Sequence, residues 1–189
     1  MLMEAKREPR RRDPARTQAR ILDAAFALFS SQGYAKTGMR EVAEKAEVAT
    51  SLVVRYFGTK AALFEQALVR ALYAQGFFVR TKDNFGEEMA RLVIKDEEAR
   101  IPAMMVLAIA DPESRDIARK VTEQVVLKSL ADWLGPPDAQ TRALHMLTLM
   151  NGFTIQTRHL RSGDIPPETV RWFARSLQAI VDEGDPAET

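Results

Sequence analysis

Residues 37–63, TGMREVAEKAEVATSLVVRYFGTKAAL, constrain the fold of this chain more than any other stretch. They predict two short helices around a tight corner and the start of a third. Thr37 is placed to cap the first helix, with Met39, Val42 and Ala43 facing inward. Glu47 and Val48 form the corner. The second helix is expected from about Ala49 to Tyr56, and Thr59 caps a longer helix beginning at Lys60. A short helix held by two neighbours, with a polar outer side, has the dimensions to enter a major groove and read base edges.

The charge distribution agrees. Residues 1–60 carry 12 Lys/Arg against 7 Asp/Glu, a surplus of five, whereas residues 61–189 carry 15 against 19, a deficit of four. The small net charge of +1 therefore hides a basic front half, the electrostatic footprint that a phosphate backbone attracts. Residues 1–13, with Arg7, Arg10, Arg11 and Arg12, read either as a solubilising tail or as an arm that tracks DNA.

Helix punctuation continues along the chain. Asp13 and Pro14 start a helix to Gln32, with Ile21, Leu22, Ala25, Phe26, Leu28 and Phe29 as its buried stripe. The helix from Thr59 turns Leu63, Phe64, Ala67, Leu68, Ala71 and Leu72 inward and ends or breaks near Gly76. Further helices are expected near Glu87–Lys95, Glu97–Ala110, Asp111–Leu134, Asp138–Arg161 and Glu168–Glu183. Asp111 and Asp138 are the expected caps of two of them. The fold class is all-α, about nine helices. Residues 14–58 form a DNA-binding unit and residues 59–189 a larger helical one.

The helix from Asp138 to Arg161 is apolar around roughly 240° of its circumference, at 100° per residue. A helix on the surface of a monomer needs a much narrower stripe. Two burials are implied, one within its own domain and one against another body; the alternative is a helix wholly internal to a monomer. With the final helix it predicts a dimer contact built from Leu144, Leu147, Ile155, Trp172, Phe173, Leu177 and Ile180.

Other classes are disfavoured. There is no cysteine, hence no disulfide, thiol nucleophile or thiolate metal site. The longest apolar run, residues 101–110, contains Pro102 and is about half of a membrane span. His145 and His159, the only histidines, would lie about 21 Å apart on one helix and cannot share a metal. Asp96, Glu97 and Glu98 are adjacent, as in a solvated turn. No nucleotide-binding, hydrolase or metalloprotease motif occurs. A cytoplasmic, non-enzymatic protein without cofactor or metal is the expectation.

On the second short helix, Thr50, Ser51, Leu52, Val54 and Arg55 are the candidates for base contact. Thr50 and Ser51 can hydrogen-bond several bases, Leu52 or Val54 can meet a thymine methyl, and Arg55 can reach either a guanine or a phosphate. Thr37, Arg40, Tyr56 and Lys60 suit phosphate positioning. For Arg40 an ion pair with Glu41 or Glu44 is the alternative. Val53 and Phe57 belong to the core.

These residues resemble the TetR family of one-component transcriptional repressors. The family pattern, roughly T-x-x-R-x-(I/V)-A, then A-G-V-S-x-G-x-x-Y-x-(H/Y)-F-x-(S/T)-K-x-x-L, is matched by Thr37, Arg40, Val42, Ala43, Ala46, Val48, Tyr56, Phe57, Thr59, Lys60 and Leu63. Gly33 and Tyr34 match the exit of the family's first helix. Departures are Glu47 for Gly, Ala49 for Ser, Ser51 for the second Gly and Val54 for Tyr. A Glu47 in the left-handed region would cost about 1–2 kcal/mol. The resemblance implies a homodimer bound to a near-palindromic double-stranded operator and released by a small effector in the C-terminal domain. Met104, Met105, Leu107, Met146, Met150 and Phe153 could line an apolar effector pocket, or simply be core. Arg158, His159 or Asn151 are available for a polar end of the effector. The alternative is a TetR-like helical protein with weak or no specific DNA binding, acting on small molecules or partners.

Overall fold

The structure, a computed structural model, describes residues 13–74, 81–94, 100–161 and 163–183. Most of the basic arm, the Gly76 break and the Asp96–Glu98 turn lie outside those residues. Among the described residues every regular element is helical, in nine helical runs.

Helix α1 (Pro14–Gln32) starts as its sequence dictates. Asp13 Oδ1 accepts from the amides of Ala15 and Arg16, and Pro14 occupies the first turn, where no donor is missed. Ile21, Ala25 and Phe29, spaced at i, i+4 and i+8, are fully buried, while Leu22, Phe26 and Leu28 pack partly against the core. Helices α2 (Met39–Lys45) and α3 (Thr50–Phe57) follow, then α4 (Lys60–Ala74). Thr59 caps α4 through the amide of Ala62, and Leu63, Phe64, Ala67, Leu68 and Leu72 line its buried side. Where α1 and α4 cross, Phe29, Tyr34 and Phe64 form an aromatic knot with ring centroids 5.0–5.9 Å apart. Each such ring removes enough apolar surface from water to stabilise the fold by about 1.5–3 kcal/mol.

The second half contains α5 (Phe85–Ile94), α6 (Arg100–Ala108), α7 (Pro112–Val121), α8 (Lys128–Leu134), α9 (Ala139–Thr154) and α10 (Pro167–Asp182). A π-helical stretch, Thr122–Leu127, joins α7 to α8 without a break, and another, Ile155–His159, extends α9. Asp111 caps α7 through the amide of Ser114. Asp138 does not cap α9. The turn after α8 leaves it left-handed, at φ 48°, with its carboxylate bonded to no backbone amide at the helix start.

Helix α10 lies along α5, with Phe173 stacked on Phe153 of α9 at 3.8 Å. Gly86 permits the close approach. A Cβ there would sit 2.0 Å from the carbonyl oxygen of Ala174, and the Gly86 amide donates to Gln178 Oε1 at 3.0 Å. Arg142 ties the far end together. Buried inside α9, its guanidinium donates to the carbonyls of Ile180, Val181, Gly135 and Pro137 at 2.8–3.1 Å. Four acceptors, two of them in the last turn of α10, take the place of a carboxylate partner.

The packing corrects two expected interface residues. Phe173 and Leu177 are fully buried within one protomer, because α10 turns them onto α5 and α9. Leu144 (52 % exposed) and Trp172 (50 % exposed) remain on the surface, while Leu147, Ile155 and Ile180 are half-buried.

Candidate nucleic-acid interface

The corner between α2 and α3 is built from short-range signals. Glu47 takes the left-handed conformation, φ 51°, and Arg20 of α1 braces it by donating to the carbonyl of Ala46 and pairing with Glu47 at 3.3 Å. Sequence reasoning missed Arg20, because the contact spans 26 residues. Val53 and Phe57 face the core, as their spacing requires. The opposite side of α3 presents Thr50, Ser51, Val54 and Arg55 to solvent, with Leu52 half-buried at its edge. Val54 is 48 % exposed although it is apolar. Among the described residues, the side chains of Thr50, Ser51 and Arg55 make no hydrogen bond or ion pair. Eight residues rise about 12 Å, enough to lay this face along a few base pairs.

The four phosphate candidates separate. Arg40 is exposed at the start of α2 and pairs loosely with Glu44 at 3.6 Å. Tyr56 is half-buried, its ring edge-on to Phe57. Lys60 donates to the carbonyl of Tyr34 at 3.1 Å and lies 4.1 Å from the centre of its ring, so part of its donor capacity is already committed. Thr37 is the correction. It is 1 % exposed and donates its hydroxyl to the Gly33 carbonyl at 2.8 Å, and Gly38, not Thr37, occupies the cap position of α2. The turn out of α1 needs that hydroxyl as an internal donor, so it is not presented to a phosphate. The hollow beside Ser51 is bordered by Arg20 as well as by Glu44 and Glu47, so its charge is mixed, while Arg40, Lys45 and Arg55 are the exposed cations of α2 and α3.

The head is anchored to the second half at several points. Tyr34 donates to Glu113 Oε2 at the start of α7. Burial first, then this bond and the charge of Glu113, push its phenol far above the ordinary tyrosine value. Arg70 pairs with Asp23 and Lys120 with Glu65, fixing α4 to both α1 and α7.

The six candidate pocket residues also separate. Met150 lines an interior cleft between α4, α5, α6, α8 and α9, and Met105 an outer groove beside it. Met104 and Met146 are fully buried core, Phe153 is stacked on Phe173, and Leu107 packs under Gly33. Arg158 donates to the Ile94 carbonyl, a use that competes with ligand binding.

Comparison with known proteins gives two family matches. The model for bacterial regulatory proteins of the tetR family matches residues 21–67, and that for the tetracyclin repressor-like C-terminal domain matches residues 83–181. The HTH-type transcriptional repressor KstR of Rhodococcus jostii is 51% identical over 51 residues, 27% of this chain. That match spans only 24% of the repressor's own length. Among solved structures, Salmonella enterica GusR is similar with a TM-score of 0.65 and 18% identity, over 93% of this chain and 98% of GusR. A transcriptional regulator from Rhodococcus sp. Rha1 is similar with a TM-score of 0.62 and 22% identity, over 88% and 96%. At these identities the structural likeness establishes the fold.

Proposed function

The chain belongs to the TetR family of bacterial regulatory proteins, and we propose that it is a transcriptional repressor that binds a near-palindromic operator as a homodimer and releases it when a small effector occupies the C-terminal half. The observation that carries this reading is the outward face of α3. Its hydroxyls and guanidinium are exposed and, among the described residues, unused by the fold, on a helix whose other side is fixed by Val53 and Phe57. A side chain with spare donors on a rigid support is what base readout requires.

Residues 14–58 act as the reading head and residues 59–189 as the effector and dimerisation unit. Thr50, Ser51, Leu52 and Val54 face bases, with Arg55 on a guanine or a phosphate. Arg40, Tyr56 and the remaining donors of Lys60 hold the backbone. Leu144 and Trp172, with Leu147, Ile155 and Ile180, supply the dimer contact. The exposed Leu144 and Trp172 on the last two helices support it, since large apolar side chains left in water favour burial against another surface. The ties from α7 to Tyr34 and α4 give effector occupancy a route to the head. An effector acts by binding the DNA-free arrangement more tightly.

Anisotropy titration against the duplex upstream of its own gene tests this, together with the mass in solution. The expected result is binding at least about 10³-fold tighter than to random duplex, by a dimer. Affinity equal to random duplex, or a mass of one 21.2 kDa chain under binding conditions, would overturn it.

A further inference from the structure

Thr154 is a buried polar residue that the fold does not use. It is 2 % exposed and borders the interior cleft, yet among the described residues its hydroxyl has no hydrogen-bond partner. Three residues on, Thr157 shows the ordinary use of a buried helical threonine, donating to the Phe153 carbonyl at 2.7 Å. The amide of Asn151, one turn before Thr154 on the same side of α9, is likewise without a partner among the described residues and borders the same cleft. Among the described residues the other lining groups are apolar, including Leu72, Met89, Ile101, Leu130 and Met150, and no charged side chain borders the cleft. Neither polar end is enclosed by the fold, so both can pair with a group that enters the cleft, where the apolar lining makes such a bond worth more than in water.

The cleft alone, about 60 Å³, holds only a few atoms. It shares Pro102 and Asn151 with an outer groove of about 440 Å³, with Met105, Val106, Ile109 and Leu127 along it and Arg115, Arg119 and Glu123 also on its border. Both π-helical stretches border that groove, one through Thr122 and Leu127 and the other through Ile155. π turns in otherwise α-helical segments recur at functional sites.

We infer that cleft and groove together bind an uncharged small molecule. Its apolar body lies in the groove, and a slim hydrogen-bonding end, a hydroxyl or a ketone, enters the cleft to pair with Thr154 and Asn151. An ionised end would be buried there with no counter-charge. This rests on the reading of the C-terminal half as the effector unit and specifies the effector's chemistry.

Calorimetric titration of the full chain with octan-1-ol, octan-2-one, octanoate and octylammonium tests the inference. The alcohol and ketone are expected to bind, with both ions at least tenfold weaker. Thr154→Val, nearly the same shape, should weaken the neutral probes about tenfold, while Thr154→Ser, which keeps the hydroxyl, should retain most of the affinity even if the valine variant folds poorly. Ions binding as well as neutral probes, no binding by either neutral probe, or Thr154→Val and Thr154→Ser binding alike would overturn it. Operator binding measured on the same samples separates the two readings. A chain that takes the neutral probes but no DNA contradicts only the regulator, and one that binds DNA but no neutral probe contradicts only the ligand.

Discussion

The reading head and the C-terminal half solve opposite problems. The head fixes a small scaffold mostly with contacts close in sequence and leaves the hydroxyls and guanidinium of the α3 face outside and, among the described residues, unpaired. The C-terminal half ties distant segments together and keeps its working groups inside. Around α3 a substitution can alter recognition without touching the fold. Around α9 and α10 the buried polar groups divide, with Arg142 holding the fold together and Thr154 left over by it.

The sharpest way to break that contrast is Arg142→Met. It fills similar space but leaves up to four buried carbonyls without their donor, so a loss of about 3 kcal/mol or more is expected in chemical denaturation. A loss below 1 kcal/mol would mean that the far end of α10 does not depend on this staple. Gly86→Ala comes next. Helix propensity alone favours alanine by about 1 kcal/mol. The 2.0 Å approach to the Ala174 carbonyl opposes it, and forced repacking costs about 1–3 kcal/mol. The clash should win, and a stabilised variant would show that α5 and α10 separate easily.

The head should respond differently. Thr50→Ala or Ser51→Ala should leave the melting temperature within the scatter of surface substitutions, about 0.5 kcal/mol, yet shift base preference by about 1 kcal/mol or more. A uniform weakening on all sequences would reassign them to phosphates. The smallest effect is expected at Glu47. Relief of left-handed strain favours Glu47→Gly by about 1–2 kcal/mol, and loss of the largely exposed pair with Arg20 returns at most about 1 kcal/mol of it. A modest rise in melting temperature should result; no rise would mean that Arg20 holds the corner more firmly than an exposed pair normally can.

The same contrast explains what could be read in the sequence. Caps at Asp13, Thr59 and Asp111 and the inward spacing of Val53 and Phe57 depend on neighbours within a few residues, so the helices and the face of α3 were legible. Thr37 was not, because its hydroxyl answers a demand set by the turn at Gly33. Periodicity showed that Phe173 and Leu177 are buried but not against what, since their cover includes α5, some 80 residues earlier. Arg142 sits amid an apolar stripe, where a charge reads as an interruption until the carbonyls of Gly135, Pro137, Ile180 and Val181 are brought to it. The cleft residue Thr154 was invisible for the same reason: its significance is a missing partner, and partners are a property of the packed molecule.

In the proposed mode of binding, a paired molecule offers two copies of the α3 face to one duplex. Selection of bound sequences from a fully random DNA pool, using the unmodified chain, tests it most directly. Enrichment of an inverted repeat is expected, its half-site centres one helical turn, about 10 base pairs, or a multiple of it apart. A pool that stays random, or that converges on a single asymmetric site, would contradict it.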